Sequence, residues 1–154
     1  MSIRPNATIR EGHLVKAKIG NAANCRKAIS DAIERRAYEI YQHQGCRPGQ
    51  DRHHWRLAES EIVQPLPCGV LKSRDEIIIS VFDSVFISKD IDEIEVCVEP
   101  HYVMLVGKKQ SVFGEDVGAV RVLPLKDEFD PSSVKLRQEG SYIEIEIRKL
   151  RVAR

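Results

Sequence analysis

The chain has 154 residues, enough for one compact domain with a small appendage. It is 42% hydrophobic and 31% charged, which excludes wholesale disorder. The formal net charge is +1, so bulk charge gives no reason to expect a nucleic-acid or membrane partner.

Met1 to Arg10 is polar, without the apolar run of a secretory leader, and no stretch of 18 apolar residues suggests a span. The expectation is a cytoplasmic protein. Cys25, Cys46, Cys68 and Cys97 lack any C-x-x-C spacing and are expected as reduced thiols; export would open the alternative of two disulfides.

Residues 1–72 carry 12 Lys and Arg against 7 Asp and Glu, whereas residues 73–154 carry 12 against 16. A boundary therefore falls within 63–73, where Pro65, Pro67 and Gly69 suit a linker or extended arm. Before it, residues 1–23 show no sustained period and contain Pro5, Gly12 and Gly20, the pattern of a flexible arm. From Ile29, apolar residues at Ala32, Ile33, Ala37, Ile40 and Tyr41 trace a helical stripe that ends at Gly45. Asp51 suits an N-cap, and Trp55, Ala58 and Ile62 continue a second helix. The spacing predicts a helical hairpin over 24–62, with Trp55 packed against Ile33, Ala37 or Ile40.

From residue 74 the period becomes two. Short strands are predicted around Ile77–Phe82, Ile94–Val98, Tyr102–Val106, Val120–Val122, Val134–Leu136 and Ile143–Ile147. Such strands without intervening helices predict an antiparallel β-sandwich over 74–150, followed by a short tail, 151–154. Ile143, Ile145 and Ile147 belong to the dry face, and Glu144, Glu146 and Arg148 to the wet one. By the same period Glu93, Glu95, Cys97 and Glu99 read as a solvated face.

The ordered set Glu76–Phe82, Ser88-Lys89-Asp90-Ile91, Glu93–Lys109, Val120–Leu125, Phe129–Leu136 and Tyr142–Ile147 resembles the alpha-crystallin domain of the small heat-shock proteins. Separately, Arg36–Tyr41, Gly49-Gln50-Asp51, His54-Trp55 and Ala58-Glu59 resemble a small bacterial helical domain of unknown function. The combined fold class is α+β: an N-terminal helical hairpin followed by an alpha-crystallin-type antiparallel β-sandwich.

The resemblance implies ATP-independent holdase chaperoning in a stress response, without a cofactor. Its partners would be non-native client proteins, and the protein itself in a dimer or larger homo-oligomer. Ile94, Val96 and Val98, with Val134 and Leu136, correspond to the two strands bordering the family's peptide-binding groove. Each strand is expected at the edge of its sheet, with inward aliphatics meeting at a slot. Leu150-Arg151-Val152 has the aliphatic-x-aliphatic form of the family's tail motif, with Leu150 and Val152 out of phase with Ile147. The alternative is a monomeric or dimeric interaction module like the CS-type co-chaperone domains, favoured by the short loop 110–116 and the short tail.

Other chemistry finds no support in the spacing. The sequence has no G-x-S-x-G, P-loop, H-E-x-x-H or Rossmann pattern, so no enzyme is expected. Cys46, Asp51, His53 and His54 fall short of a zinc set, because adjacent histidines diverge by about 100° on a helix. The hairpin arginines alternate with acids and form no single-signed stripe for DNA.

Overall fold

A computed structural model describes residues 15–86, 90–112 and 114–150. Strand β1 (Lys16–Ile19) leads into helix α1 (Ala22–His43), and α2 (Asp51–Ile62) completes the hairpin. Eight strands follow: β2 (Val63–Pro65), β3 (Gly69–Lys72), β4 (Glu76–Phe82), β5 (Ile91–Glu99), β6 (Tyr102–Ser111), β7 (Gly114–Pro124), β8 (Lys135–Glu139) and β9 (Tyr142–Arg148). Two helices followed by a two-sheet sandwich make the expected α+β architecture.

The first sheet runs β1-β5-β6-β7-β2 and the second β3-β4-β9-β8. Pairing is antiparallel except at β1–β5 and β2–β7, which are parallel. All six predicted strands are present. Ile143, Ile145 and Ile147 are fully buried and lie opposite Val81, Ile79 and Ile77 of β4. Successive side chains of a strand point to opposite faces, so one register buries all three isoleucines. Each contributes about 1.5–3 kcal/mol relative to exposure.

Two apolar cores stack in three layers. Between the sheets lie Ile77, Ile79, Val81, Ile94, Val96, Val103, Leu105 and the three isoleucines of β9. On the far side of the five-stranded sheet, Cys97, Met104, Val106, Val117 and Val120 meet Cys25, Ile29, Ala32, Ile33, Ala58 and Ile62 of the helices. The hairpin thus roofs a sheet face. The face of β5 read as solvated is covered there: Glu95 and Cys97 are buried.

Several boundaries differ from the sequence expectation. Helix α1 begins at Ala22, because Asn21 caps it by accepting the Asn24 N–H at 3.0 Å. Part of the expected arm, Lys16–Ile19, is a strand, held by backbone pairing that needs little apolar signal. The expected linker 63–73 is woven into both sheets, since Val63–Pro65 pairs with β7 and Gly69–Lys72 with β4. Residues 1–14 of the arm and the tail 151–154 lie outside the described residues.

Trp55 is not the hairpin anchor: it is 36% exposed. Ala58 and Ile62 are buried as expected, but the third buried position of α2 is His54 in place of Trp55. A polar ring is tolerated there because His54 Nε2 bonds Gln44 Oε1 at 2.8 Å. Gly45 does end α1, with φ +81°, where a side chain would be strained.

Candidate functional site

The residues assigned to the groove all belong to the inter-sheet core. Ile94, Val96 and Val98 of β5 are buried in the inter-sheet core. Val134 and Leu136, just before and within β8, are half-buried against the same cluster. Strand β8 is an edge, as expected, but β5 is not: β1 pairs with it, Lys16 opposite Glu93 through Ile19 opposite Val96. The chain's own extended segment thus runs along β5 and reaches β8, where the groove was expected.

That segment is held mainly by polar contacts. Val15 and Ala17 turn inward but are only half-buried. The Ala17 N–H donates to Gln138 Oε1 at 2.9 Å, and Gln138 Nε2 donates to the Val15 carbonyl. On the outer side Lys18 pairs with Glu93 at 3.1 Å and with Glu95 at 3.8 Å. Alternation finds the two strands in the sequence, and the family resemblance is what assigns them to a groove. Both miss the occupant, because Lys-Ala-Lys-Ile is too short and polar to stand out.

Of the tail motif, Leu150 is 44% exposed, with its N–H bonded to the Glu128 carbonyl at 2.9 Å. Val152 lies outside the described residues. The sequence candidates Cys46, Asp51, His53 and His54 do not converge, with Cys46 exposed and His54 tied to Gln44. A different group does converge beneath α1. Cys25 Sγ, a Glu95 carboxylate oxygen and Cys97 Sγ lie within 4.8 Å of one another, all buried. Lys108 Nζ sits 2.5 Å from the other Glu95 oxygen. Burial pulls the Glu95 carboxyl upward, but the hydrogen bonds from Lys108 and Cys25 outweigh it and hold it below the ordinary carboxylate value. Burial pushes both thiols up.

Residues 30–64 match the family model described as "Protein of unknown function (DUF2934)", which spans most of the hairpin and reaches β2. No curated protein matches the chain. Among solved structures, similarity is found to heat shock protein 16.0 from Schizosaccharomyces pombe, with 10% identity and a TM-score of 0.42. That match covers 61% of this chain and 71% of that one. Stress-induced protein 1 from Caenorhabditis elegans is 14% identical, with TM-score 0.36, over 56% of this chain and 96% of that one. HSP18.5 from E. histolytica is 11% identical, with TM-score 0.39, over 58% and 92%. Among the described residues no helix is long and apolar enough to cross a membrane.

Proposed function

We propose that this protein is an ATP-independent holdase, which takes up extended apolar segments of non-native proteins by strand addition between β5 and β8. The observation that carries the reading is the seated segment itself: β1 lies along β5 in register and touches β8 through Gln138. A slot that accepts one extended chain offers the same backbone partners to another. The occupant is a weak one, since Val15 and Ala17 bury little apolar area. A client segment with larger side chains gains about 25 cal/mol for each further Å² it buries. Binding requires no bond to be made or broken, only competition with aggregation. Several weak sites in an oligomer would add avidity. The proposed setting is cytoplasmic, where client proteins unfold under stress.

The test is light scattering from a heat-denatured client without ATP. Suppression is expected from the full chain, and more of it from Ala17→Asp, which weakens the occupant. Leu136→Asp, on the wall, is expected to reduce it, with circular dichroism reporting that the fold is intact. Equal capacity in all three folded proteins refutes the slot.

A second reading has its own support. The edges of the five-stranded sheet are the short strands β1 and β2 of the same chain, which leaves the long strands β5 and β7 no free edge for assembly. This favours a monomeric or dimeric interaction module. Size-exclusion chromatography with light scattering separates the two: a monomer without suppression supports the module.

A further inference from the structure

The group beneath α1 lies on the helix-covered face of β5 and meets β1 through Glu95 and Lys18. Cys25 stands in the first turns of α1, and Cys97 on the face of β5 turned away from the sandwich interior. Their sulfurs are 2.6 Å apart, inside the ordinary contact distance of two unbonded sulfurs. Cys25 Sγ lies 3.1 Å from Glu95 Oε2, placed to donate its S–H to that carboxylate. Gly20 closes the site from the side. A Cβ there would fall 2.5 Å from Glu95 Oε2 and 3.1 Å from Cys97 Sγ, so the turn from β1 into α1 needs glycine for this approach.

Two chemistries suit such a set. A zinc site wants four ligands with its sulfurs spread tetrahedrally around the ion. Here the described residues supply three, the second Glu95 oxygen is held by Lys108, and the sulfurs are too close to admit a metal between them. A disulfide needs only the two sulfurs and an acceptor for the protons.

We infer that Cys25 and Cys97 form a redox pair, oxidised to a disulfide by a low-molecular-weight disulfide, which staples the first turns of α1 to β5. In the first step Cys25, reached by solvent once β1 is released, gives its proton to water and attacks one sulfur of the oxidant. A Cys25 mixed disulfide forms, and one small thiolate leaves and takes up that proton. In the second, Cys97 loses its proton and attacks the Cys25 sulfur, expelling the second small thiolate, which is protonated in turn. Two protein thiols lose two electrons and two protons, and the small disulfide becomes two small thiols. The cross-link joins residues 72 apart in sequence. Because Gly20 lies between β1 and α1, release of β1 is the route by which the oxidant reaches the buried sulfurs.

The test uses the full chain and a Cys46→Ser/Cys68→Ser variant, which retains only the pair. Both are refolded from denaturant in excess oxidised glutathione, so that burial cannot shield the thiols, then alkylated and mapped by mass spectrometry. The expected result is a Cys25–Cys97 cross-linked peptide in both proteins. Their melting temperature should stand about 10 °C above that of the reduced forms. Full alkylation of Cys25 and Cys97, a linkage to any other cysteine, or no rise in melting temperature overturns the proposal. So does stoichiometric zinc, added to the reduced variant and retained through gel filtration, because it would make the cluster a metal site.

Discussion

Gln138 of β8 clasps Ala17 of β1: the backbone N–H of Ala17 donates to its Oε1 at 2.9 Å, while its own amide donates to the Val15 carbonyl. One side chain thus satisfies both backbone directions of a strand whose apolar grip is small. Each such bond contributes about 1 kcal/mol net. Gln138→Ala should therefore destabilise the seating of β1 by about 2 kcal/mol. Amide hydrogen exchange at Lys16–Ile19 should quicken roughly 30-fold, since each 1.4 kcal/mol is tenfold. Unchanged exchange at those amides would mean that the pairing with β5 alone holds the strand.

The closing strand offers a comparison within three residues. Ile145 is fully buried between the sheets, whereas Glu144 points outward, with Arg137 at 3.9 Å. Ile145→Ala should cost about 2–5 kcal/mol through lost burial and a cavity. Glu144→Ala should stay within about 0.5 kcal/mol, as exposed ion pairs contribute little. Urea melts of the two variants measure both; similar midpoints would place the register one residue out.

What the sequence made legible follows from how each signal arises. Ile143, Ile145 and Ile147 declare their face because burial demands apolar side chains at every second position. Strand β1 and the strands within 63–73 are held by backbone hydrogen bonds at sheet edges, which leave almost no trace in side-chain pattern. Trp55 misleads for a related reason. A large ring at helical spacing looks like an anchor, yet the stripe passes through His54, whose polarity conceals its burial beside Gln44. Glu95 and Cys97 can be placed on one strand face from their spacing alone. That Cys25 lies against them depends on how α1 crosses the sheet, and no local pattern encodes that.

Acid sensitivity should centre on Glu95. Burial opposes its charge, but Lys108 and Cys25 bind the ionised form and keep the folded carboxyl more acidic than an unfolded glutamate, near about 4.3. The unfolded chain therefore binds more protons across that window, so stability rises with pH there. The contribution is complete above the unfolded value and is lost as pH falls through the folded one. Glu95→Gln removes it and leaves Lys108 with Glu115, at 3.3 Å, as its carboxylate partner among the described residues. The expected cost at pH 7 is about 3 kcal/mol. Melts from pH 7 downward should give a shallower acid limb for the variant; parallel limbs would assign the acid loss to other carboxylates.

The helical roof supplies the last prediction. Ala58 is fully buried, while Trp55 remains 36% exposed on the neighbouring position of α2. A carboxylate at 58 would be trapped in the core formed by Ile29, Ile33, Met104 and Val120, with no room to reach water. Ala58→Asp should cost several kcal/mol and unfold the hairpin. Trp55→Ala should cost about 1–2 kcal/mol, the value of a partly covered ring. The consequences extend to the sandwich. A fragment of residues 74–150 lacks the hairpin together with β1, β2 and β3, which bares Cys97, Met104, Val106, Val117 and Val120 and uncovers the edges of β5, β7 and β4. Residues 74–150 alone are therefore expected to aggregate or to lack near-ultraviolet dichroism. A soluble, cooperatively melting fragment would instead make the roof dispensable and restore a division between hairpin and sandwich.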